Sequence, residues 1–177
     1  IRTDNNKLLG RLAFPTLEEG HAGAHNVKAR LQAMDDMGVH AQICYQNSGV
    51  TQAGSLMALG DNELALTIIK LYNDASAERQ KESGQRLFTL GHLPLWDKAA
   101  MEAEARRCID MDIKGFVLPD TPERVKVPSF LDDYWTPLLE MCADQSVPIN
   151  FHLNAAIDPN VLCWEGFAFE QKLAVVA

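Results

Sequence analysis

Residues 147–154, with the sequence VPINFHLN, contain the side chain of this chain that is best suited to chemistry. A short apolar segment leads to His152, and the polar Asn154 follows it. Parallel strands bind ligands where they end on their carboxyl side, so a histidine at that end is a candidate metal ligand or proton carrier. Because one histidine does not make a metal site, its function depends on which other groups accompany it.

Three further polar residues follow predicted strands and are candidates for contacting a substrate. Asn47 lies in a loop after the first strand, His92 follows the second, and Asp120 follows the third. Two alternatives stay open, because His92 could be a hydrogen-bonded core histidine and Asp120 could cap a loop. His21 and His25 are four residues apart but stand in a glycine-rich setting, which favours a loop over a helical ligand pair.

Strands alternate with helices along the chain. Leu87, Phe116 and Ile149 recur at intervals of roughly 30 residues, which is the length of a βαβ unit. The strands are short and apolar on both faces, as buried parallel strands are. They are predicted at residues 39–45, 86–90, 115–118 and 147–152.

Helices are predicted between these strands, over residues 26–37, from Asp61 to Gly84, from Asp97, and from Asp132 or Asp133. The second helix is expected to bury Leu64, Ile68, Leu71 and Ala75. The third is expected to bury Met101, Ala105, Cys108 and Ile109, with Glu102, Glu104, Arg106 and Arg107 facing water. The three tryptophans, Trp96, Trp135 and Trp164, are expected to pack in the core or at its rim.

The predicted fold class is α/β: a partial TIM (β/α)₈ barrel of about four βα units with parallel strands. We expect a single domain over residues 1–177, with an irregular segment at 1–25, the βα repeats at 26–154, and a loop and helix start at 155–177. A closed barrel typically takes about 250 residues. The start at Ile1 and the apolar end LAVVA suggest a piece of a longer protein.

Composition narrows the function classes. The formal net charge of −8 disfavours nucleic acid as a partner, because no basic patch stands out to meet phosphates. No apolar run is long enough to span a bilayer, and no signal peptide is visible. The four cysteines lie far apart without a C-x-x-C pair, so we expect reduced thiols in a cytoplasmic protein.

The order of several sequence words resembles the amidohydrolase superfamily, in its amidohydrolase-2 branch, which includes aminocarboxymuconate-semialdehyde decarboxylase. The words are RLQAMDDMGV at 30–39, LYND at 71–74, LGHLPL at 90–95 followed by Asp97, GFVLP at 115–119, YWTPL at 134–138 and VPINFH at 147–152. They cover roughly residues 26–154 and correspond to about strands two to five of the family.

The resemblance implies a (β/α)₈ barrel that holds a divalent metal, usually zinc. The family's ligands are a His-x-His or Glu-x-His pair after the first strand, a histidine after the fifth strand and a late aspartate. His152 matches the fifth-strand histidine, and the other ligands have no match between Ile1 and Ala177. Leu153 and Asn154 stand where the family usually has a glycine shortly after that histidine.

The function expected from the resemblance is that of a metal-dependent hydrolase or decarboxylase acting on a small carboxylated or cyclic substrate. The alternative is a half-barrel fragment or degenerate relative that lacks catalysis and self-associates. Since half a barrel exposes strand edges and inward apolar side chains, a homodimer or higher homo-oligomer is expected.

Overall fold

The computed structural model describes residues 21–46 and 53–152. Its helices are α1 (Val27–Asp36), α2 (Ala53–Met57), α3 (Asn62–Glu82), α4 (Lys98–Asp110) and α5 (Thr136–Asp144). Its strands are β1 (Gln42–Cys44), β2 (Leu87–Thr89), β3 (Phe116–Pro119) and β4 (Ile149–His152), and short 3₁₀ helices lie at Ala22–Ala24 and Pro122–Val125. Each predicted strand is present; β1, β2 and β4 are shorter than expected, and β3 has the expected length but lies one residue later. None of the described helices is long and apolar enough to cross a membrane.

The strands run parallel and follow one another in chain order. β1 pairs with β2, placing Ile43 beside Phe88, and β3 pairs with β4, placing Val117 beside Asn150. Gly91 joins the two pairs: its N–H donates to the Gly115 carbonyl at 2.8 Å, and its carbonyl accepts from the Val117 N–H at 3.1 Å. The prediction of short parallel strands alternating with helices is therefore confirmed for the described residues.

Local sequence signals fix the helix ends. The side chains of Asn26, Asp61 and Asp97 each accept a hydrogen bond, at 2.9–3.0 Å, from the backbone N–H three residues later. These bonds satisfy donors that the first helical turn leaves unpaired. Gly38 and Gly84 follow α1 and α3 with φ of 69° and 62°, a left-handed conformation that glycine adopts without strain.

The main core lies between the sheet and helices α4 and α5. Its fully buried members include Met101, Ala105, Cys108, Phe116, Leu118, Trp135 and Leu138. The Trp135 ring is also anchored, because its Nε1 donates to the Pro128 carbonyl at 2.9 Å. Trp96 packs on a smaller cluster of Leu56, Ala65 and Ile69. The prediction that both tryptophans pack in or beside the core is confirmed, and Trp164 lies outside the described residues.

The predicted buried face of α3 is wrong except at Ile68, which is half-buried against the smaller cluster. Leu64 and Leu71 are 48% and 64% exposed. The helix instead buries Ala65, Ile69, Asn73, Ser76 and Gln80. The polar members of this face form internal hydrogen bonds, so a search for the most apolar stripe selects the neighbouring one.

Two other helix predictions need correction. Glu104 was expected to face water but is 2% exposed, and its carboxylate accepts hydrogen bonds from the buried Asn73 and the half-buried Arg107. The last helix begins at Thr136, not at Asp132 or Asp133. Asp132 instead forms a turn, in which its Oδ1 accepts from the Tyr134 N–H at 2.8 Å.

Candidate functional site

Three of the four predicted site residues lie at the carboxyl ends of the strands. His152 is the last residue of β4, Asp120 follows β3 directly, and His92 comes three residues after β2. Because the strands are parallel, these ends meet at one edge of the sheet. The fourth candidate, Asn47, lies outside the described residues, as does Asn154.

Tyr45, which the sequence did not single out, joins the first and fourth strands beside His152. Its ring centroid is 5.8 Å from that of His152, and its hydroxyl donates to Asn150 Oδ1 at 3.1 Å. The outer strands of a flat four-stranded sheet would be about 14 Å apart, so the contact fits a sheet that curves toward this face. The same face carries an apolar hollow of about 290 Å³, lined by Ile43, Phe88 and others.

Alternation along the strands could have indicated Tyr45. Ile43 and Tyr45 are two residues apart on one strand, and so are Asn150 and His152 on another, which places each pair on one face. We call this surface, with Phe88 and Leu90, the concave face. The opposite face of the sheet packs on the helices through Phe116, Leu118 and Ile149.

His92 is buried beside this edge. Its ring packs edge-on against Tyr72, with centroids 4.6 Å apart, and 5% of the residue is exposed. Burial, and then the nearby charge of His152, lowers the pKa of His92 from 6.5 to about 3. The imidazole is therefore neutral at physiological pH. Asn73 hydrogen-bonds the backbone N–H and carbonyl of His92 and so holds the segment that follows β2.

Buried side-chain atoms without a hydrogen-bond partner concentrate at the strand ends. Among the described residues they are Gln46 Oε1, Thr89 Oγ1, His92 Nε2, Asp120 Oδ1 and, away from the sheet, Gln80 Oε1. Each such atom costs about 1–3 kcal/mol when nothing bonds it. A concentration of them at one end of a sheet is typical of a place where a polar ligand binds.

The residues at this edge offer the kinds of donor atom that a divalent metal prefers, but too few of them. Imidazole nitrogen and carboxylate oxygen are both zinc ligands, and His152 and Asp120 supply one of each. The described ranges, however, contain no group of three or more His, Cys, Asp or Glu residues that could hold a metal ion. The described residues thus fit a metal as contributors to its coordination rather than as a complete set.

The other histidines lie in loops. His21 Nδ1 accepts from the Gly23 N–H at 3.0 Å and so begins the short 3₁₀ helix, which confirms the loop predicted there. His25 and His40 are exposed. His40 comes before β1, so it does not lie at the carboxyl end of that strand.

The cysteines described are free thiols. Burial raises the pKa of Cys108 and raises that of Cys142 to about 11, and Cys44 shifts in the same direction for the same reason. Thiols of this kind are poor nucleophiles, and their reduced state agrees with the expectation for these three cysteines. Cys163 lies outside the described residues.

Comparison with solved structures shows which proteins have a similar fold. The chain is similar to a 2,6-dihydroxybenzoate decarboxylase in complex with 2,6-dihydroxybenzoate (24% identity, TM-score 0.55, 70% of this chain and 38% of that one). It is similar to 5-carboxyvanillate decarboxylase from Sphingomonas paucimobilis (21%, TM-score 0.54, 70% and 34%). It is also similar to a candidate amidohydrolase from Staphylococcus aureus (20%, TM-score 0.62, 85% and 47%). No protein-family model and no curated protein matches the chain.

These similarities confirm, at the level of the fold, the resemblance to amidohydrolases and decarboxylases that the sequence indicates. The chain spans less than half the length of the structures it matches. Activity, substrate and metal do not follow from a shared fold.

Proposed function

We propose that this chain is part of a metal-dependent hydrolase or decarboxylase of the amidohydrolase-2 type, built on a partial (β/α)₈ barrel and acting on a small carboxylated or cyclic substrate. The observation that carries the proposal is the position of His152. It ends β4 on the concave face, beside Tyr45 and near His92. The fold shared with two decarboxylases supports the same reaction class.

His152 is the residue proposed to hold the metal, with zinc as the first candidate. A bound divalent ion there would polarise a substrate oxygen or activate a water molecule. Asp120 follows the neighbouring strand and offers an oxygen donor of the right kind. The remaining ligands would come from outside residues 21–46 and 53–152.

The chain's own side chains would orient the substrate. Tyr45 places a hydroxyl and an aromatic ring beside His152, and its bond to Asn150 fixes the ring. Ile43 and Phe88 line the apolar hollow of the same face, which offers packing for a planar ring. A carboxylated aromatic molecule would fit this combination of a polar edge and an apolar floor. We place the activity in the cytoplasm, as the free thiols suggest.

The proposal is tested by measuring carbon dioxide release from 2,6-dihydroxybenzoate and 5-carboxyvanillate, together with the zinc content of the purified protein. We expect bound zinc that is lost in His152→Ala and retained in His40→Ala, a matched change at an exposed histidine. Activity, where present, should fall with the zinc. A folded sample that binds no zinc, manganese or magnesium and turns over neither acid would contradict the proposal.

The second candidate is a catalytically incomplete half-barrel that forms a homodimer or higher homo-oligomer. On the concave face the apolar side chain of Ile43 is 60% exposed. Among the described strands, β1 and β4 each pair with one neighbour only. A second copy of the chain is the occupant we propose for this surface.

Size-exclusion chromatography with light scattering tests the second candidate. We expect a dimer or larger species that dissociates in Ile43→Lys, while Leu131→Lys, the same change at an even more exposed apolar residue outside the sheet, leaves it intact. A monodisperse monomer at high micromolar concentration would rule it out.

A further inference from the structure

A closed set of hydrogen bonds holds the backbone of His92. Asn73 Oδ1 accepts from the His92 N–H at 2.9 Å, and Asn73 Nδ2 donates to the His92 carbonyl, also at 2.9 Å. The same Nδ2 donates to Glu104 Oε1 at 2.7 Å. Because both ends of the carboxamide are used, it has one orientation, and α3 fixes the segment that follows β2.

Glu104 is a buried carboxylate that needs a cation to compensate its loss of hydration. Arg107 supplies it: Nε donates to Oε2 at 2.9 Å and Nη2 donates to Oε1 at 2.6 Å. Arg107 also pairs with Asp74 through Nη1 at 2.5 Å. The hydrogen bonds that Arg107 donates to Glu104 raise the pKa of Arg107 above its usual value, although burial acts in the opposite direction, and the bond to Asp74 adds to the rise. The guanidinium therefore stays charged.

We call Asn73, Glu104 and Arg107 the α3–α4 clamp. It joins two helices to the end of one strand, and its asparagine and glutamate are almost wholly buried. A structural role alone explains why the helices are joined. It does not explain why both backbone groups of His92 are bonded while the buried Nε2 of its ring has no hydrogen-bond partner among the described residues.

His92 follows β2 and therefore lies at the edge of the sheet that carries His152. The ring is held between the strand end and Tyr72, so it has little freedom to turn and find another partner. A neutral imidazole carries one N–H and one acceptor nitrogen, and a buried N–H left unbonded costs about 1–3 kcal/mol. An oxygen atom of a ligand bound on the concave face would remove that cost.

We propose that His92 is a ligand-binding residue, with Nε2–H donating to a carboxylate oxygen of a bound aromatic acid, and that Asn73 and Glu104 are the positioning residues that aim it. The carboxylate class rests on the proposed function. His92 is then a second contact of the site, distinct from the metal role of His152. Its contribution is a directed hydrogen bond.

The experiment uses the full chain, with benzoate as the probe and phenol as the matched ring without a carboxylate. Histidine ring signals are followed by two-bond ¹H–¹⁵N NMR, which separates the two neutral tautomers and the cation. We expect His92 as the neutral Nε2–H tautomer, with its Nε2 proton shifting downfield when benzoate binds. A His92 ring signal that is unchanged at saturating benzoate would overturn the proposal.

Three variants separate positioning from structure. His92→Gln should weaken benzoate binding about tenfold, as the loss of one hydrogen bond to a charged group does. Asn73→Ala should weaken binding severalfold and broaden the His92 ring signals. Glu104→Gln keeps an oxygen that can accept from Asn73, so it should bind benzoate within about twofold of the wild type.

Gln32→Ala is the control, because Gln32 bonds Asp36 on the exposed surface of α1 and should leave benzoate binding unchanged. If Asn73→Ala does not fold, His92→Gln and the wild-type NMR response still decide the matter. Unchanged affinity in folded His92→Gln, or no benzoate binding by the wild type, overturns the inference.

Failure of the proposed function gives a different pattern. A benzoate-dependent His92 shift in a protein that binds no metal and releases no carbon dioxide would remove the catalytic proposal and keep this contact. Zinc binding and turnover that are insensitive to His92→Gln would keep the catalytic proposal and remove the contact assigned to His92.

Discussion

Acidification tests the burial of His92 directly. Its pKa is lowered from 6.5 to about 3 in the folded chain, by burial first and by the charge of His152 second. Between these two values the unfolded chain binds a proton that the folded chain excludes. Stability contributed by the neutral ring is therefore complete above about pH 6.5 and is lost as the pH falls toward 3.

The magnitude follows from the two pKa values. A solution at pH 5 is about 1.5 pH units below the pKa of the histidine in the unfolded chain, so that ring is protonated. The ring in the folded chain remains neutral. At about 1.36 kcal/mol per unit, the free energy of unfolding should fall by about 2 kcal/mol between pH 7 and pH 5 because of this one residue. Such a loss is a large fraction of the stability of an ordinary domain.

The assay is urea unfolding at pH 7, 6 and 5, with a chelator present so that bound metal does not contribute. His92→Gln removes the titrating group, and His40→Gln serves as the control at an exposed position. The wild type and His40→Gln should both lose about 2 kcal/mol more than His92→Gln over this range. Equal pH dependence in wild type and His92→Gln would refute the burial of a neutral ring.

Three stability measurements check the packing and the helix ends by the same urea assay. Met101→Ala should lower the free energy of unfolding by about 2–5 kcal/mol, since this side chain is fully buried. Leu64→Ala should lower it much less, because Leu64 is half-exposed. Equal losses would argue against the buried face assigned to α4. Asp97→Ala should cost about 1 kcal/mol through its lost N-cap bond, and no loss would mean that this cap does not form in solution. Gly84→Ala should cost about 1 kcal/mol because its φ is 62°, although a Cβ there would meet no other atom, and a stabilised variant would contradict that backbone conformation.

The amino-acid sequence could predict what depends on neighbours along the chain. Asp61 and Asp97 start helices and Gly84 ends one, because these residues act on backbone groups within a few positions. The strands at Leu87 and Phe116 followed from short apolar segments at βαβ spacing. The position of His152 at the end of a strand could be predicted from the apolar segment that precedes it.

The sequence could not determine which polar residues would be buried. Asn73 and Glu104 look like ordinary surface residues of two helices, and the second was wrongly assigned to water. Their burial depends on partners 31 residues apart in the chain, which meet only when α3 and α4 pack against the same strand end. The apolar stripe of α3 was misplaced for the same reason, since hydrogen bonds across the fold replaced apolar contacts.

The sequence by itself therefore determined the order of strands and helices and put one histidine at the end of a strand. Only the tertiary structure decided that Tyr45, which follows the first strand, would reach Asn150 on the fourth strand, 105 residues away, and that the ring of His92 would be enclosed near His152. The physical reason is range. Helix caps and strand periodicity act between near neighbours, whereas burial and electrostatic coupling at a site depend on surfaces that touch only after the chain has folded.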